Sequence, residues 1–451
     1  MRQNADSLLM VRPSRFGYNP ETAVSNTFQN KSLQNDIPAR AVLEFNKMAD
    51  RLDRESINTI IIDDDPKLDT PDSVFPNNWV SMHHDGTMVY YPMATPNRRR
   101  ERRQDLTEIL AEKYGFEVSS FLDLSTSENT GQFLEGTGSI VFDHGNKIAY
   151  MSRSVRSSEK VLENLCEKIQ YQPFTFESTK YGNQPVYHTN VLMSIGREFA
   201  IVCLSAIAAA DREGLINRLE SSGKTIIDIS ENQMFAFSGN VLEVMNSKEA
   251  PFLVISSASI SELPKDRIRL LEQFATLLPI EIPTIEKHGG GSVRCMIAEV
   301  FLPKSKYAIT TRQVFNEQDL QACFQLRFEV LRKPWGQPLG SERDQTEGLS
   351  WHFLSRTADG LPIGTARLHA LDDNTAQIRY MAVHEQYRGK GIGLKLLRAA
   401  EQLASQKGLK RIFLQSRENA VPFYEQAGYT VIEPTFLLWN EIQHYGMERN
   451  L

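Results

Sequence analysis

Cysteine is scarce in this chain: four in 451 residues, Cys166, Cys203, Cys295 and Cys323, with no Cys-x-x-Cys spacing. That scarcity excludes a disulfide framework and a structural zinc cage, and it fits reduced thiols in the cytoplasm. Long apolar runs are missing as well. Nothing approaches the ~20 residues that span a bilayer, so no membrane partner is expected. The opening MRQNADSLLMVRPSRFGYNP lacks the apolar segment of a secretory leader. An excess of positive charge is also absent: 50 Lys and Arg stand against 56 Asp and Glu, a formal charge of −6. Such a chain has no bulk attraction to nucleic acid. Its expected partners are small molecules or proteins, and a homo-oligomer is compatible with the composition.

What is present is an ordinary globular mixture, 41% hydrophobic and 24% charged, in a chain too long for one core. Within the first three hundred residues one pattern recurs: a small polar residue, an apolar strand, a turn, a second apolar strand, then Ser or Ala. The copies begin at Asn77 (NNWVSMHHDGTMVYYPMA), Thr137 (TGSIVFDHGNKIAYMSRS), Thr189 (TNVLMSIGREFAIVCLSAI) and Ser238 (SGNVLEVMNSKEAPFLVISSAS), with a shorter fifth at Gly291 (GSVRCMIAEVFLP). Helix-like stretches from Arg98 and Ser157 lie between copies, so each unit reads as a strand pair plus a helix. One unit cannot bury its own apolar face. Five arranged radially would share a core, predicting a five-bladed α/β propeller with equivalent strand ends around one axis.

Residues that look chemical sit at matching places in these units. Asp72, Asn77 and Asn78 introduce the first, Glu135 the second and His188 the third, and Cys295 lies in the fifth. Three glycines before Cys295, Gly289 to Gly291, are expected to leave backbone amides open to a ligand. A thiol there suits a nucleophile, with His188 as general acid and base and Glu135 orienting it. A reactive thiolate at Cys295 would be alkylated faster than a buried thiol. The other three cysteines read as small buried hydrophobes.

TPDSVFPNNW, FLEGTGSI, YHTNVLMS and HGGGSVRCM resemble, in order and spacing, the four motif regions of the pentein, or guanidino-group-modifying, superfamily, over residues 8–304. The opening is most similar to an arginine-deiminase-related branch of citrulline hydrolases. The resemblance implies a propeller and a catalytic triad of Cys295, His188 and Glu135, with no cofactor in this domain. The family's deiminases grip guanidinium with carboxylates where this chain has Asn78 and Asn190. An asparagine both donates and accepts, which suits a neutral urea better than a cation. Asp72 remains as a carboxylate for urea N–H groups. Arg153 falls where the family places a substrate-carboxylate arginine, and Arg98 is a second candidate. The second glycine and the aspartate of the family's E-G-G-D pattern are replaced here by Thr137 and Gly138.

Near residue 306 the hairpin repeat stops. The strand-like QIRYMAVHEQY runs into RGKGIGLKLLRAAEQLA, a glycine-bearing turn that opens a helix and aims free amides at an anion. Arg388, Gly389, Lys390, Gly391, Ile392 and Gly393 resemble the pyrophosphate motif of the GNAT N-acetyltransferases, over residues 307–451. The resemblance implies acetyl-CoA held partly by the main chain of Met381, Ala382 and Val383. Asn419 matches a pantetheine contact and Tyr424 the frequent general acid. Glu329, Trp335 and Glu342 are candidates for lining the acceptor site.

The sequence therefore predicts a bifunctional enzyme. Domain 1–306 would hydrolyse a ureido amino acid, converting citrulline to ornithine, ammonia and carbon dioxide. Domain 307–451, a GNAT α/β domain with a mixed, mostly antiparallel sheet, would acetylate an amine, with ornithine as the candidate. The alternatives are an arginine or methylarginine deiminase or dihydrolase, and a non-catalytic ligand-sensing propeller that regulates the acetyltransferase.

Overall fold

The computed structural model describes residues 1–451 except 27, 32–35, 182–183 and 306–308, and gives only the backbone at 180, 181 and 184. The boundary expected near 306 lies outside the described residues. The chain forms two compact units, one of Met1–Leu106 and Glu117–Pro303, the other of Thr107–Phe116 and Lys304–Leu451. A single cut in the sequence therefore misses the short stretch 107–116, which belongs with the C-terminal unit.

Among the described residues the first unit contains five three-stranded sheets. In each of four, an antiparallel hairpin is followed by a third strand parallel to the hairpin's second. The hairpin Val80–Met82 and Thr87–Tyr90, for example, is joined by Ser120–Asp123. The remaining three of this kind start at Val141, Met193 and Leu242. Sequence reading found the hairpins but not these third strands, because each pairs only after the intervening helix returns the chain. The fifth sheet is composite. Ala298–Glu299 pairs antiparallel with the N-terminal strand Ser7–Arg12, whose other edge is parallel to Asn58–Asp63. The fifth hairpin expected from Gly291 onward is thus made from both ends of the unit.

The helix expected from Arg98 is two pieces, Pro96–Arg99 and Leu106–Tyr114, whereas that expected from Ser157 spans Glu159–Ile169. The latter buries Val161, Leu162, Leu165, Cys166 and Ile169 at helical spacing against Ala149 and Met151 of its sheet. Burying each such side chain is worth about 1.5–3 kcal/mol.

Among the described residues the second unit is built on one seven-stranded mixed sheet, in which only Thr375–Val383 and Arg411–Arg417 are parallel neighbours. The remaining neighbours are antiparallel, as the GNAT resemblance implied. Helix Ile392–Gln406 buries Ile392, Leu396, Leu397, Ala400 and Ala404 on this sheet. No helix among the described residues is long and apolar enough to cross a membrane.

Candidate active sites

In the first unit the chemistry gathers on short turns that lead into the first strands of the sheets. Asn77 and Asn78 lie on the turn Pro76–Asn78 before Val80. Glu135 caps Gly136–Ser139, which leads to the strand at Val141. His188 caps Thr189–Leu192, which carries Asn190 and leads to the strand at Met193. Cys295 precedes the strand at Ala298. Each of these residues lies just before a first strand, and all of them are buried.

Glu135 is the hub. Its Oε2 accepts from His188 Nε2 at 2.8 Å and from Arg156 Nη1 at 3.2 Å, while Oε1 accepts from the Ala94 amide. Burial would raise its pKa, but Arg156, the His188 hydrogen bond and Arg98 together hold it well below the usual carboxylate range. Burial pushes His188 down to about 4 despite Glu135, so its ring is neutral at pH 7. An ionised Glu135 accepts only, so Nε2 carries the proton and Nδ1 keeps its lone pair.

Cys295 Sγ lies 3.3 Å from Asn240 Nδ2 and 3.5 Å from Asn190 Nδ2. Burial raises its pKa against these two donors, so it rests as a thiol. Fast alkylation of the resting protein is therefore not expected. Gly289 to Gly291 also differ from expectation. Gly291 presses on the Phe75 ring, 3.0 Å from where its Cβ would stand, and the carbonyls of Gly289 and Gly290 accept from Gln29 and Tyr187. These glycines are packed against Phe75, Asn26 and Cys295 rather than standing open to a ligand.

The predicted substrate residues divide. Asp72 accepts from Asn19 and Thr22 through Oδ2, while Oδ1 has no partner, and burial raises its pKa despite Arg98. Both side-chain atoms of Asn77, Asn78 Nδ2 and Asn190 Oδ1 are likewise buried without partners. Arg98 is committed internally: it pairs with Glu101 at 2.8 Å and donates to Asn78 Oδ1 at 2.6 Å. Arg153 does not join the group. It follows the strand Ile148–Ser152 and binds Glu159 and Glu177 near the surface, and the arginine that enters the site is Arg156. Gly138 explains the departure from the family pattern, since a Cβ there would lie 2.4 Å from Asn78 Nδ2 and 2.7 Å from the His188 ring.

Sequence reading missed Arg156, Asn240, Glu101, Asn19 and Thr22. Asn240 had a signal: Gly-Asn-Val in the fourth copy mirrors Thr-Asn-Val in the third. Arg156 had none beyond lying three residues past Arg153.

In the second unit the parallel strands pair only from Thr375 opposite Arg411 to Ile378 opposite Leu414. Beyond that point Met381, Ala382 and Val383 are not paired with the second parallel strand, and the Val383 carbonyl accepts from Arg388 Nε at 3.3 Å. Gly389 and Gly391 have φ of +75° and +76°, and nothing lies within 4 Å of a Cβ at either. Glycine is needed here for backbone conformation, and the space above it is open. Gly391 caps helix Ile392–Gln406, whose first amides face that space, and Arg388 and Lys390 are exposed beside it. Tyr424 is buried with its hydroxyl 3.7 Å from Met381 Sδ, and Asn419 is exposed on the turn Glu418–Ala420. Glu329 accepts from Gln325, and Glu342 is buried against Arg343 and the Gly340 amide.

The family model for eukaryotic N,N dimethylarginine dimethylhydrolase matches residues 12–302. The chain belongs to that family. A second model, the GNAT acetyltransferases, matches residues 318–429 of this dimethylarginine-dimethylhydrolase-family chain. The N-terminal domain of ArgZ in a covalent reaction intermediate is similar in fold, with TM-score 0.52 and 16% identity over 66% of this chain and 99% of that one. Unliganded AgrE gives TM-score 0.53 and 13% identity over 72% of this chain but only 45% of its own length. The uncharacterized N-acetyltransferase YjcF of Bacillus subtilis (strain 168) is 29% identical over 135 residues, 30% of this chain and 95% of that one. The protein is thus a pentein hydrolase-type domain joined to a GNAT acetyltransferase domain. A GNAT domain uses acetyl-CoA, and the open glycine turn and the parted strands fit it. Among the described residues no group of three or more His, Cys, Asp or Glu could hold a metal ion.

Proposed function

We propose that the first domain hydrolyses the terminal ureido group of citrulline, giving ornithine, ammonia and carbon dioxide. The observation that carries this reading is the fixed orientation of Asn78. Arg98 has only donors, so the oxygen of the Asn78 amide must face Arg98, and Nδ2 must face the spot beside Gly138 and His188. That leaves an unpartnered buried donor in the site. A ureido oxygen can accept from it. A guanidinium offers only donors and would leave it unsatisfied, at a cost of about 1–3 kcal/mol. Glu135 is taken by Arg156 and Glu101 by Arg98, so Asp72 Oδ1 is the one unpartnered carboxylate oxygen among these groups, available to accept from a ureido N–H.

In this mechanism His188 Nδ1 takes the Cys295 proton as sulfur attacks the ureido carbon. Asn78 Nδ2 meets the negative charge developing on the ureido oxygen. His188 returns the proton to the leaving amine. It then activates water, which breaks the carbon–sulfur bond, and the released carbamic acid splits into amine and carbon dioxide. Glu135 holds the imidazole in the required tautomer throughout.

A second reading rests on Asp72, whose free oxygen could serve a guanidinium, and on ArgZ, which is described as an arginine dihydrolase from cyanobacteria. The chain and a Cys295→Ala control are incubated with citrulline and separately with arginine, and the products are read by mass spectrometry. Cys295-dependent ornithine from citrulline, with arginine untouched, supports the proposal. Consumption of arginine supports the second reading.

For the second domain, Arg388 to Gly393 would hold the pyrophosphate of acetyl-CoA and the main chain of Met381 to Val383 its pantetheine arm, with Asn419 beside it. Bound acetyl-CoA supplies an activated acyl group. Tyr424, kept protonated by burial, is suited to donate to the departing thiolate. The acceptor we favour is ornithine, the product of the first domain.

A further inference from the structure

Four arginines surround the Tyr380 ring, with guanidinium carbons 4.8–5.5 Å from its centroid: Arg327, Arg332, Arg367 and Arg379. Three are neutralised. Arg327 pairs with Glu347, Arg367 with Asp344 and Glu347, and Arg379 with Asp344, at 2.5–3.0 Å. Arg332 has no carboxylate partner among the described residues; its hydrogen bonds go to the carbonyls of Ser341 and Leu331. Arg417 is the same case, with one long contact to the Leu331 carbonyl at 3.5 Å. Burial lowers the Arg417 pKa, and the charges of Arg332 and Arg388 push it the same way.

Aromatic faces hold two of these cations in place. Arg332 lies 5.5 Å from the Trp439 ring and Arg417 5.7 Å from Trp335, and the two indoles are 5.9 Å apart. Trp439 sits at φ +52° and Asn440 at φ +56° in the turn between the last two strands. Two successive non-glycine residues there are strained, so packing must hold the indole where it is. Arg332 ends a π-helical turn, Phe328–Arg332, a rare geometry often found at functional sites. The placement relative to the transfer site is direct. Tyr380 precedes Met381 on one parted strand, and Arg417 ends the other.

We propose that Arg332 and Arg417, framed by Trp335 and Trp439, bind the carboxylate of the acetyl acceptor, so that the acceptor is an amino acid rather than a simple amine. The inference rests on reading this unit as an acetyltransferase. The acceptor's free amine forms the new bond to the acetyl carbon as the thioester carbon–sulfur bond breaks. Tyr424 protonates the sulfur and regains a proton from the amine, so atoms and charge balance. Uncompensated cations recognise a carboxylate because their unpaired state costs free energy that an incoming anion restores.

The test uses the full chain carrying Cys295→Ala, so that hydrolysis does not interfere. Acetyl-CoA binding is first measured by calorimetry. Absence of binding would reject the acetyltransferase reading itself. Transfer is then compared between L-ornithine, L-lysine and L-glutamate and the decarboxylated diamines putrescine and cadaverine. The expected result is at least a tenfold higher kcat/KM for an amino acid than for the matching amine. Arg332→Gln and Arg417→Gln are expected to raise the acceptor KM about tenfold and the acetyl-CoA KM less than threefold, with partial recovery in the lysine variants. Equal use of diamines and amino acids would overturn the proposal. So would acetyl-CoA binding without transfer to any of the three amino acids, or a rise confined to the acetyl-CoA KM, which would assign these cations to its phosphates.

Discussion

The two sites solve the problem of charge in opposite ways. In the first unit the buried carboxylates Glu135 and Glu101 meet internal arginines at 3.2 and 2.8 Å, and Cys295 and His188 rest uncharged. What is left unmatched is polar but mostly neutral: amide atoms of Asn77, Asn78 and Asn190, with one oxygen of Asp72. In the second unit Arg332 and Arg417 are cations without a carboxylate partner among the described residues. A site in which two of three buried carboxylates are already paired with arginine leaves a single carboxylate oxygen for a ligand, whereas a site with surplus positive charge awaits an anion. The groups left without partners therefore say more about a ligand's chemistry than the groups that are already paired.

The largest expected effect breaks the first site outright. Cys295→Ala should lower hydrolysis by about 10⁴-fold or more while leaving acetyl transfer unchanged, measured as ornithine release and thiol release on the same preparation. A comparable loss of both activities would mean that the substitution acts through folding. Next, Asn78→Asp removes the donor that Arg98 orients. Its kcat/KM for citrulline should fall about 10²-fold, because the ureido oxygen loses its partner and gains a repelling charge. An unchanged value would show that Asn78 does not touch the substrate.

The resting protonation states sharpen the contrast. His188 must be neutral to accept the thiol proton, and burial lowers its pKa from 6.5 to about 4. The acid limb of kcat/KM that reports this residue should therefore fall near pH 4, with activity retained through pH 6. A limb at 6.5 would mean that the ring is solvated in the working enzyme. The smallest effect belongs to the second site. Gly391 has φ +76° with open space above it, so Gly391→Ala should cost about 1 kcal/mol of stability through backbone strain alone. The acetyl-CoA KM should rise several-fold, with hydrolysis unaffected. An unaltered KM would argue against anion binding at this turn.

Much of the first site was legible because the repeat fixes where each turn meets its sheet. Glu135, His188 and Cys295 could be placed from the spacing of hairpins that pair locally. Asn78 could be named as a substrate residue, but the direction of its amide depends on Arg98, twenty residues away, and no spacing rule reveals that bond. Arg153 and Arg156 show the same limit: both follow one strand, and only packing decides which of them turns inward. Third strands were missed because their partners lie beyond a helix. In the second unit the glycine turn was readable from local sequence, whereas the Arg332 and Arg417 cluster joins a helix end, a strand end and a strained turn that have no local pattern in common.

The composite sheet also carries a consequence for how the enzyme is made. Leu8 and Leu9 pair with Glu299 and Ala298, and the Val300 amide donates to the Ser7 carbonyl. Some of the most distant contacts in the unit thus lie a few residues from the nucleophile. Contacts of such long sequence separation form late and slowly, since the entropy of closing the loop must be met before they stabilise anything. During synthesis the N-terminal strand waits, with one edge unpaired, until residue 300 has left the ribosome. The nascent chain therefore holds His188 and Glu135 long before Cys295 is fixed, and the group should assemble only when the composite sheet forms.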